Sequence, residues 1–280
     1  MPETTNNSVQ QSLFAANREQ VSGGNISRVI CLLAPGTILI AGLNAQGEVF
    51  SAKNYSNNTA EWDADFFASI CRNELLLRDV KLVKAVFVAT HKQTLVPEAL
   101  YHAEQATAML RNIYHIQHDE VILSGTVNAE KAKVVYALPG DVVETIQQVF
   151  GKADMIPVTT GICGSKPDPR YEYQVSCLLM QGKVFASLHV RGALQWYQVF
   201  DFTNAEDIAY RIGTVCRQNN IGIADVYVNC MAGHDSLTAV IMELATYYPK
   251  IKYAGSNTVI DEKQWLPVLY LLQQLNICAS

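Results

Sequence analysis

The stretch "YQVSCLLMQGKVFASLHVRGALQWYQVFDF", residues 173–202, decides the fold of the second half of the chain. It contains three runs of aliphatic, aromatic and β-branched residues, which are separated by short segments around Gly182 and Gly192. Runs of this length bounded by glycine turns are typical of antiparallel strands joined by hairpins. The stretch therefore predicts a three-stranded meander.

The first half of the chain begins in the same way. "RVICLLA", "TILIAGL" and "EVFSAKNY" are short β-rich runs between residues 28 and 55. Pro35 and Gly36 fit the centre of a type II turn, because proline fixes φ at the first central position and glycine accepts positive φ at the second. A second three-stranded meander is therefore predicted.

Each meander is followed by segments that alternate between helical and strand periodicity. The second half has the order βββαβαβα, and the first half begins with this order before it adds further strands. The segments predicted as strands or helices in the first half are "AEWDADFFASICRNELLLRD", "KAVFVAT", "VILSG", "KVVYALP", 141–150 and "DMIPVT". The duplication predicts two similar α/β lobes, each with a mixed sheet, and a cleft between them.

The loop at residues 160–173 concentrates glycine and proline, which indicates a boundary between the lobes. We predict a first lobe at residues 26–166 and a second lobe at residues 167–280. Residues 1–25 are polar and rich in Asn, Gln and Ser, so they are expected to form a flexible leader. Pro97 is expected in the first turn of a helix that ends near Leu110.

Composition excludes several classes of protein. The chain has 280 residues, of which 49% are hydrophobic and 17% charged, and its net charge of −5 predicts no nucleic acid partner. The longest apolar run, at residues 265–272, is much shorter than the about 20 residues of a transmembrane helix. The N-terminus lacks the features of a secretion signal, and seven scattered cysteines without a CxxC pair indicate reduced thiols. We therefore expect a cytoplasmic location.

Three segments together resemble an uncharacterised bacterial family whose fold is actin-like. They are "LVPEALY" at residues 95–101, "VVYALP" at residues 134–139 and the meander ending in "YQVFDF" at residue 202. The resemblance covers roughly residues 28–280 and implies an actin-like ATPase fold, made of two ribonuclease-H-like lobes of the βββαβαβα type. More distantly, the strand, "VP" and helix are similar to those of actin-type ATPases such as the Hsp70 chaperones and the actin homologues of cell division and pilus assembly. The resemblance implies a fold and no activity.

In actin-type ATPases a nucleotide lies between the lobes, held by the first hairpin of each lobe. Each hairpin typically supplies glycines whose N–H groups meet phosphate and an acidic residue that positions Mg²⁺. In this chain the hairpins are "CLLAPGTIL" and "CLLMQGKVF", and neither contains an acidic residue. Gly182 and Lys183 can meet a phosphate, although a turn with a solvated charge is the favoured interpretation.

The adenosine side of such a cleft uses a strand-to-helix turn in the second lobe. Gly233 lies at this position in "VYVNCMAGHDSLTAV", and Asp235 either caps the helix or marks an anion site at its N-terminus. A single glycine is a weak signal, but this turn is the best ligand candidate in the chain.

Other chemical patterns carry less information. "HIQHDE" at residues 115–120 can hold a metal, but a solvated helix end is the simpler interpretation. "GICGSK" at residues 161–166 lacks the spacing of a Walker A loop. His234, Asp235 and Ser236 are consecutive and cannot converge as a catalytic triad. Neither lobe carries the first-strand carboxylates that a ribonuclease-H-type nuclease needs.

Aromatic residues crowd the third strand of the second lobe and the first helix of the first lobe. The residues are Trp62, Phe66, Phe67, Trp196, Tyr197, Phe200 and Phe202. Core packing is the favoured interpretation, and a protein-binding surface is the alternative.

Two hypotheses follow from the sequence. The first is a non-catalytic actin-like protein with no cofactor, which binds an unidentified protein partner or forms a homo-oligomer. The alternative is an ATP-binding switch or ATPase, in which Gly182, Lys183, Gly233 and Asp235 line a site for ATP and Mg²⁺.

Overall fold

The computed structural model describes residues 9–15, 26–57, 59–78, 83–151, 154–164, 167–253 and 262–278. Within these ranges the strands are β1 (Gln10–Ala15), β2 (Arg28–Ala34), β3 (Thr37–Leu43), β4 (Val49–Ser56), β5 (Val83–Val88), β6 (Gln93–Pro97), β7 (Glu120–Val127), β8 (Ala132–Pro139), β9 (Met155–Pro157), β10 (Tyr173–Met180), β11 (Lys183–Val190), β12 (Ala193–Asp201), β13 (Val226–Ala232) and β14 (Ile251–Lys252). The α-helices of the same ranges are α1 (Ala64–Asn73), α2 (Leu75–Arg78), α3 (Ala106–Arg111), α4 (Gly140–Phe150), α5 (Thr159–Gly164), α6 (Ala205–Gln218), α7 (Thr238–Leu244) and α8 (Leu266–Cys278).

Two sheets share one strand order, which confirms the predicted duplication. The first sheet has the order β1-β4-β3-β2-β5-β9, and the second has the order β12-β11-β10-β13-β14. In each lobe the central strand, β2 or β10, pairs antiparallel with the next strand and parallel with the strand after the first helix. Apart from β1, every strand of the first sheet therefore has a counterpart in the second.

The helices separate the sheets into layers. Helices α1 and α4 cover the outer face of the first sheet, and α6 and α7 cover the outer face of the second. Helices α5 and α8 lie between the two sheets. Residues 267–272 of α8 are all buried and mostly apolar, as expected of a helix segment that is covered on all sides. The lobes are thus joined by a common apolar core, in which α8 contacts β13 on one side and β2 and β4 on the other.

Part of the predicted leader is a strand. Residues Gln10–Ala15 form β1, which extends the first sheet by pairing antiparallel with β4. Phe14 is buried and lies 5.9 Å from Trp265, measured between ring centroids. The polar composition hid this strand, because one buried aromatic residue gives no alternating pattern. Residues 1–8 and 16–25 of the predicted leader lie outside the described residues.

The first lobe also contains an inserted sheet with the order β6-β8-β7, located between β5 and α4. The prediction that Pro97 opens a long helix is wrong. Pro97 ends strand β6, and the next residues form two 3₁₀ turns before the short helix α3. Proline is tolerated here because β6 is an edge strand, and pairing with β8 outweighs the local helical signal.

Local signals in the sequence are visible at the turns and helix ends. Gly36 and Gly182 both have positive φ at the tips of their hairpins. Asn204 caps α6, because its side chain accepts a hydrogen bond of 3.0 Å from the N–H of Asp207. The last helix begins at Leu266. None of the described helices is long and apolar enough to cross a membrane.

Candidate functional site

The tips of the two hairpins meet across the lobes. The hydroxyl group of Thr37 donates a hydrogen bond of 3.5 Å to Oε1 of Gln181. The adjacent Gly182 faces open space, since no atom lies within 4 Å of the position that a Cβ would occupy. The proposed phosphate-binding loops are therefore close together, and one direct side-chain contact joins them.

Lys183 already has an acidic partner. Its ammonium group forms an ion pair with Asp201 on the neighbouring strand β12, and the side chain of Asp201 is 80% exposed. The positive charge proposed for phosphate binding is thus compensated within the second lobe.

Gly233 accommodates a neighbouring side chain. A Cβ at this position would lie 2.2 Å from Sδ and 2.6 Å from Cε of Met180, which is buried. The N–H of Gly233 donates a hydrogen bond of 2.9 Å to the carbonyl oxygen of Leu179. Close packing of Met180 is therefore a sufficient reason for glycine at this turn.

Asp235 is held by the N-terminal strand. Its Oδ1 accepts a hydrogen bond of 2.9 Å from the hydroxyl group of Ser12 on β1 and lies 3.1 Å from Nδ1 of His234. The expected cap is made by His234 instead, whose Nδ1 accepts a 3.1 Å hydrogen bond from the N–H of Ser236. Burial lowers the pKa of His234, and the charge of Asp235 opposes this effect.

The four residues proposed from sequence thus lie at one end of the second lobe. Gly182 is at the hairpin tip, Lys183 points to β12, and Gly233 and Asp235 follow β13. Three of the four positions are already engaged within the protein. Lys183 is paired with Asp201, Asp235 accepts a hydrogen bond from Ser12, and Met180 fills the space where a side chain at position 233 would lie.

A cavity of about 920 Å³ lies elsewhere, between the first sheet and the inserted sheet. We call it the insert groove. Its walls come from the adjoining parts of β7, β8 and β9, from the end of α4 and from α5 and α8. Its lining residues are Leu123, Ser124, Gly125, Thr126, Tyr136, Gln147, Gly151, Asp154, Met155, Ile156, Pro157, Thr160 and Cys278.

Two edge strands border the insert groove. Within the described residues, β7 pairs only with β8, and β9 pairs only with β5. An edge strand directs the N–H and C=O groups of alternate residues away from its partner, so β7 offers backbone hydrogen-bonding groups at its free edge. In β9 the carbonyl oxygens of Met155 and Pro157 already accept hydrogen bonds from the hydroxyl groups of Tyr136 and Thr160. The two strands approach each other at Gly125, where a Cβ would lie 2.7 Å from Cδ of Pro157.

The lining of the groove is mostly uncharged. Among its residues only Asp154 carries a charge at neutral pH. The hydroxyl group of Tyr136 donates a hydrogen bond of 2.9 Å to the carbonyl oxygen of Met155, which ties the inserted sheet to β9. Burial, together with the nearby charge of Asp154, raises the pKa of Tyr136. The groove therefore combines apolar surface, backbone edges and one negative charge.

The aromatic residues singled out in the sequence pack into the core. Phe66, Phe67 and Phe200 are buried, and the four others pack against buried clusters. Tyr197 also reaches α5, where its hydroxyl group lies 2.8 Å from Oγ1 of Thr159. The core interpretation is thus confirmed for this group. The histidines of "HIQHDE" belong to no metal-binding group among the described residues, and Glu120 of this segment forms a salt bridge of 2.8 Å with Lys92.

Two lobes of equal strand order around central helices define an actin-like fold. Solved structures share this architecture. A protein with actin-like ATPase fold and unknown function from Bacteroides thetaiotaomicron has a TM-score of 0.67 and 11% identity, with 85% of this chain and 95% of that chain covered. The PilM–PilN type IV pilus biogenesis complex gives a TM-score of 0.57 and 8% identity, with 90% and 98% covered. At these identities the similarity shows the fold alone.

The chain belongs to the family described as protein of unknown function (DUF3822), which matches residues 39–251. This confirms the resemblance inferred from the sequence. A comparison with curated proteins found no match.

Sequence reasoning missed the insert groove. Its walls come from strands that are distant in the chain, and each strand looks unremarkable by itself. The one available signal was the set of extra strands in the first half, which interrupts the order shared with the second half.

Proposed function

We propose that this protein is a non-catalytic, cytoplasmic binding protein, and that the insert groove receives an extended segment of another protein. The observation that carries the proposal is the groove of about 920 Å³ beside the free edge of β7. An extended peptide can pair its backbone with such an edge and place alternate side chains in the cavity.

The lining indicates what kind of segment fits. Leu123 and Ile156 offer apolar surface, and Asp154 offers a negative charge. A partner segment with alternating apolar residues and a lysine or arginine opposite Asp154 would match both features. The solved structure described as the PilM–PilN complex supports the general idea, because there a protein of similar fold occurs together with another protein.

The proposal can be tested with two neighbouring glutamines of α4. Gln147 and Gln148 are both exposed, but only Gln147 lines the insert groove. An arginine at position 147 would place a long charged side chain in the groove, whereas an arginine at position 148 would not. Wild type, Gln147→Arg and Gln148→Arg would be immobilised, and the proteins that each captures from a host lysate would be identified.

We expect a protein that wild type and Gln148→Arg capture and that Gln147→Arg does not. Synthetic peptides that cover this protein would then be titrated into the purified chain, and fluorescence anisotropy should locate one extended segment. If all three forms capture the same proteins, the groove is not the binding site. If the captured protein is a second copy of this chain, the partner is the protein itself and the assembly is a homo-oligomer.

The proposed function requires no nucleotide. Three contacts support this part of the proposal: Met180 packs where a side chain at position 233 would lie, Lys183 is paired with Asp201, and Asp235 accepts a hydrogen bond from Ser12. If the protein instead binds ATP and Mg²⁺, the nucleotide should stabilise it, and the melting temperature with Mg-ATP tests this alternative.

A further inference from the structure

A second cavity lies in the second lobe, at the opposite end of the sheet from the hairpins. It has a volume of about 540 Å³ and is closed by the ends of α5 and α8. We call it the basal cavity. Its lining residues are Gly164, Pro167, Asp168, Gln174, Ser176, His189, Tyr227, Asn229, Met231, Lys252, Tyr270, Gln274, Ile277 and Cys278.

The polar side chains of this cavity come from adjacent strands. Ser176 on β10 pairs with Asn229 on β13, and Asn229 pairs with Lys252 on β14. Since these pairs are direct and parallel, the three side chains lie on one face of the sheet. This face points towards the inside of the molecule, where apolar residues are the rule.

The first lobe shows that this polarity is not required by the fold. The hairpins align β2 with β10, so Ile30 occupies the position equivalent to Ser176. Ile30 pairs with Ala85 on β5 as Ser176 pairs with Asn229 on β13, so Ala85 is equivalent to Asn229. Ile30 and Ala85 are both buried in the apolar core of their lobe. The same architecture thus forms with apolar residues at these positions.

Hydrogen-bond donors in the basal cavity are left without partners. Among the described residues, Asn229 accepts a hydrogen bond of 3.2 Å from the hydroxyl group of Tyr270, but its amide N–H groups donate none. The side chains of Ser176 and Lys252 form no hydrogen bond or ion pair with other described residues, although both residues pair through their backbones in the sheet. The ammonium group of Lys252 lies 5.0 Å from the ring centroid of Tyr270. His189 is 98% buried, and its Nε2 makes no hydrogen bond, although it lies 3.4 Å from Oε1 of Glu130.

Asp168 and Gln174, which also line the cavity, are already paired. Asp168 accepts hydrogen bonds of 2.9 Å and 3.0 Å from Nε of Arg170, so its negative charge is balanced. Gln174 accepts from the N–H of Asp168 and donates to the carbonyl oxygens of Asp168 and Tyr171. The N–H groups of Asn229 and Lys252 therefore lack hydrogen-bond acceptors among the described residues. The hydrogen bonds from Arg170 chiefly, and the charge of Lys252 to a smaller extent, lower the pKa of Asp168, so the charge of Lys252 is compensated only at a distance.

We propose that the basal cavity binds a small organic molecule that carries an oxyanion, held by the ammonium group of Lys252 and by N–H and O–H donation from Asn229 and Ser176. Oxyanions accept several hydrogen bonds at once and bind most strongly to charged donors. A carboxylate and a phosphate share this chemistry. The proposal is independent of the insert groove, because the two sites share only Cys278 among their lining residues.

The test measures melting temperatures of the full chain with defined probes. The carboxylate arm uses succinate and citrate, the phosphate arm uses inorganic phosphate and glycerol phosphate, and succinamide is the neutral control. Each probe is added at about ten millimolar, and affinities are then measured by calorimetry. The variants are Lys252→Met and Asn229→Ala. The matched control is Lys250→Met, since Lys250 is exposed and outside the cavity.

We expect at least one oxyanion to raise the melting temperature of wild type and of Lys250→Met by several degrees. Removal of the charged donor in Lys252→Met should weaken binding about tenfold or more, and Asn229→Ala should weaken it to a smaller extent. Phosphate and citrate also stabilise proteins nonspecifically, so a rise that is equal in Lys252→Met and wild type overturns the proposal. The absence of a rise with every oxyanion overturns it as well. If Lys252→Met does not fold, the Asn229→Ala titration decides in the same way.

Discussion

The two lobes have one strand order and different interiors. At equivalent positions the first lobe has Ile30 and Ala85, whereas the second has Ser176 and Asn229. The first lobe also has an inserted sheet without a counterpart among the described residues of the second, and this sheet forms one wall of the insert groove. The comparison teaches that strand order survives large changes in side-chain chemistry, because backbone pairing and the outer helices maintain it. Each lobe is thus free to carry a different site.

The largest expected effect on stability comes from replacing a core residue of the first lobe by its equivalent in the second lobe. Ile30→Ser removes a fully buried aliphatic side chain and leaves a hydroxyl group without a partner. We expect a loss of about 4 kcal/mol in the free energy of unfolding. The reciprocal test, Ser176→Ala, should change this free energy by less than about 1 kcal/mol, since the hydroxyl group has no protein partner to lose. Urea denaturation measures both, and equal losses would contradict the contrast between the interiors.

A smaller difference is expected between the ion pairs of the two lobes. In the first lobe Glu74 is buried and accepts hydrogen bonds of 2.7 Å from the hydroxyl group of Tyr55 and 3.0 Å from Nζ of Lys53. In the second lobe Arg191 and Glu172 pair on the surface. We expect Glu74→Ala to cost about 3 kcal/mol and Glu172→Gln to leave the free energy of unfolding nearly unchanged, again measured by urea denaturation.

The same glutamate predicts a pH dependence. Burial raises the pKa of Glu74, but the hydrogen bonds from Tyr55 and Lys53 outweigh burial and lower it overall. A carboxyl group whose pKa is lower in the folded state stabilises the protein above its unfolded pKa, and this stabilisation is lost as the pH falls through the folded value. Wild type should therefore lose stability below about pH 4.3, and Glu74→Gln should lose less over the same range. Parallel curves for the two proteins would assign the acid sensitivity to other groups.

The third expected effect concerns two neighbouring positions at which the lobes distribute side-chain volume differently. Ala34 and Ala89 in the first lobe are equivalent to Met180 and Gly233 in the second, and the N–H groups of Ala89 and Gly233 make matching hydrogen bonds to Leu33 and Leu179. Gly233→Ala should cost about 2 kcal/mol, because its Cβ overlaps the side chain of Met180.

A double variant separates overlap from other causes of this loss. With Met180→Ala, the second lobe acquires the alanine pair of the first, and the added Gly233→Ala should then cost about 1 kcal/mol less than it does in wild type. An additive result in thermal and urea unfolding would show that contact with Met180 is not the reason for glycine at position 233.

The smallest expected effect is that of nucleotide. A ligand at one hundred times its dissociation constant stabilises a protein by about 2.7 kcal/mol. We expect Mg-ATP at millimolar concentration to leave the melting temperature unchanged, because intramolecular contacts occupy Lys183, Gly233 and Asp235. A clear rise that Gly233→Trp abolishes would establish the ATP-binding alternative and make the second lobe the nucleotide-binding one.

Sequence patterns predicted most of the repeated core. The glycine turns at Gly36 and Gly182 and the alternating strand and helix signals led to both meanders and to the shared order of the lobes. They failed where pairing between distant segments decided the conformation. Strand β1 forms because β4 offers a free edge and Trp265 contacts Phe14. The polar sequence around β1 indicates neither β4 nor Trp265 as a partner.

The candidate sites divide in the same way. Sequence located the hairpins and the turn at Gly233, since glycine and helix-capping residues leave local signals. It did not show that Met180 lies against Gly233, or that β7 and β9 form two walls of one groove. The basal cavity was not predicted, because nothing in the local sequence distinguishes Ser176 and Asn229. Only the register of the strands places them beside Lys252.

The sequence by itself determined the duplicated α/β architecture, its hairpin turns and its family. Tertiary structure decided which edges stay free, which buried polar groups lack partners and which proposed site residues are already in use. The physical reason is the range of the interactions. Turn and periodicity signals depend on a few neighbouring residues, whereas grooves and cavities depend on how strands from distant parts of the chain pair and pack.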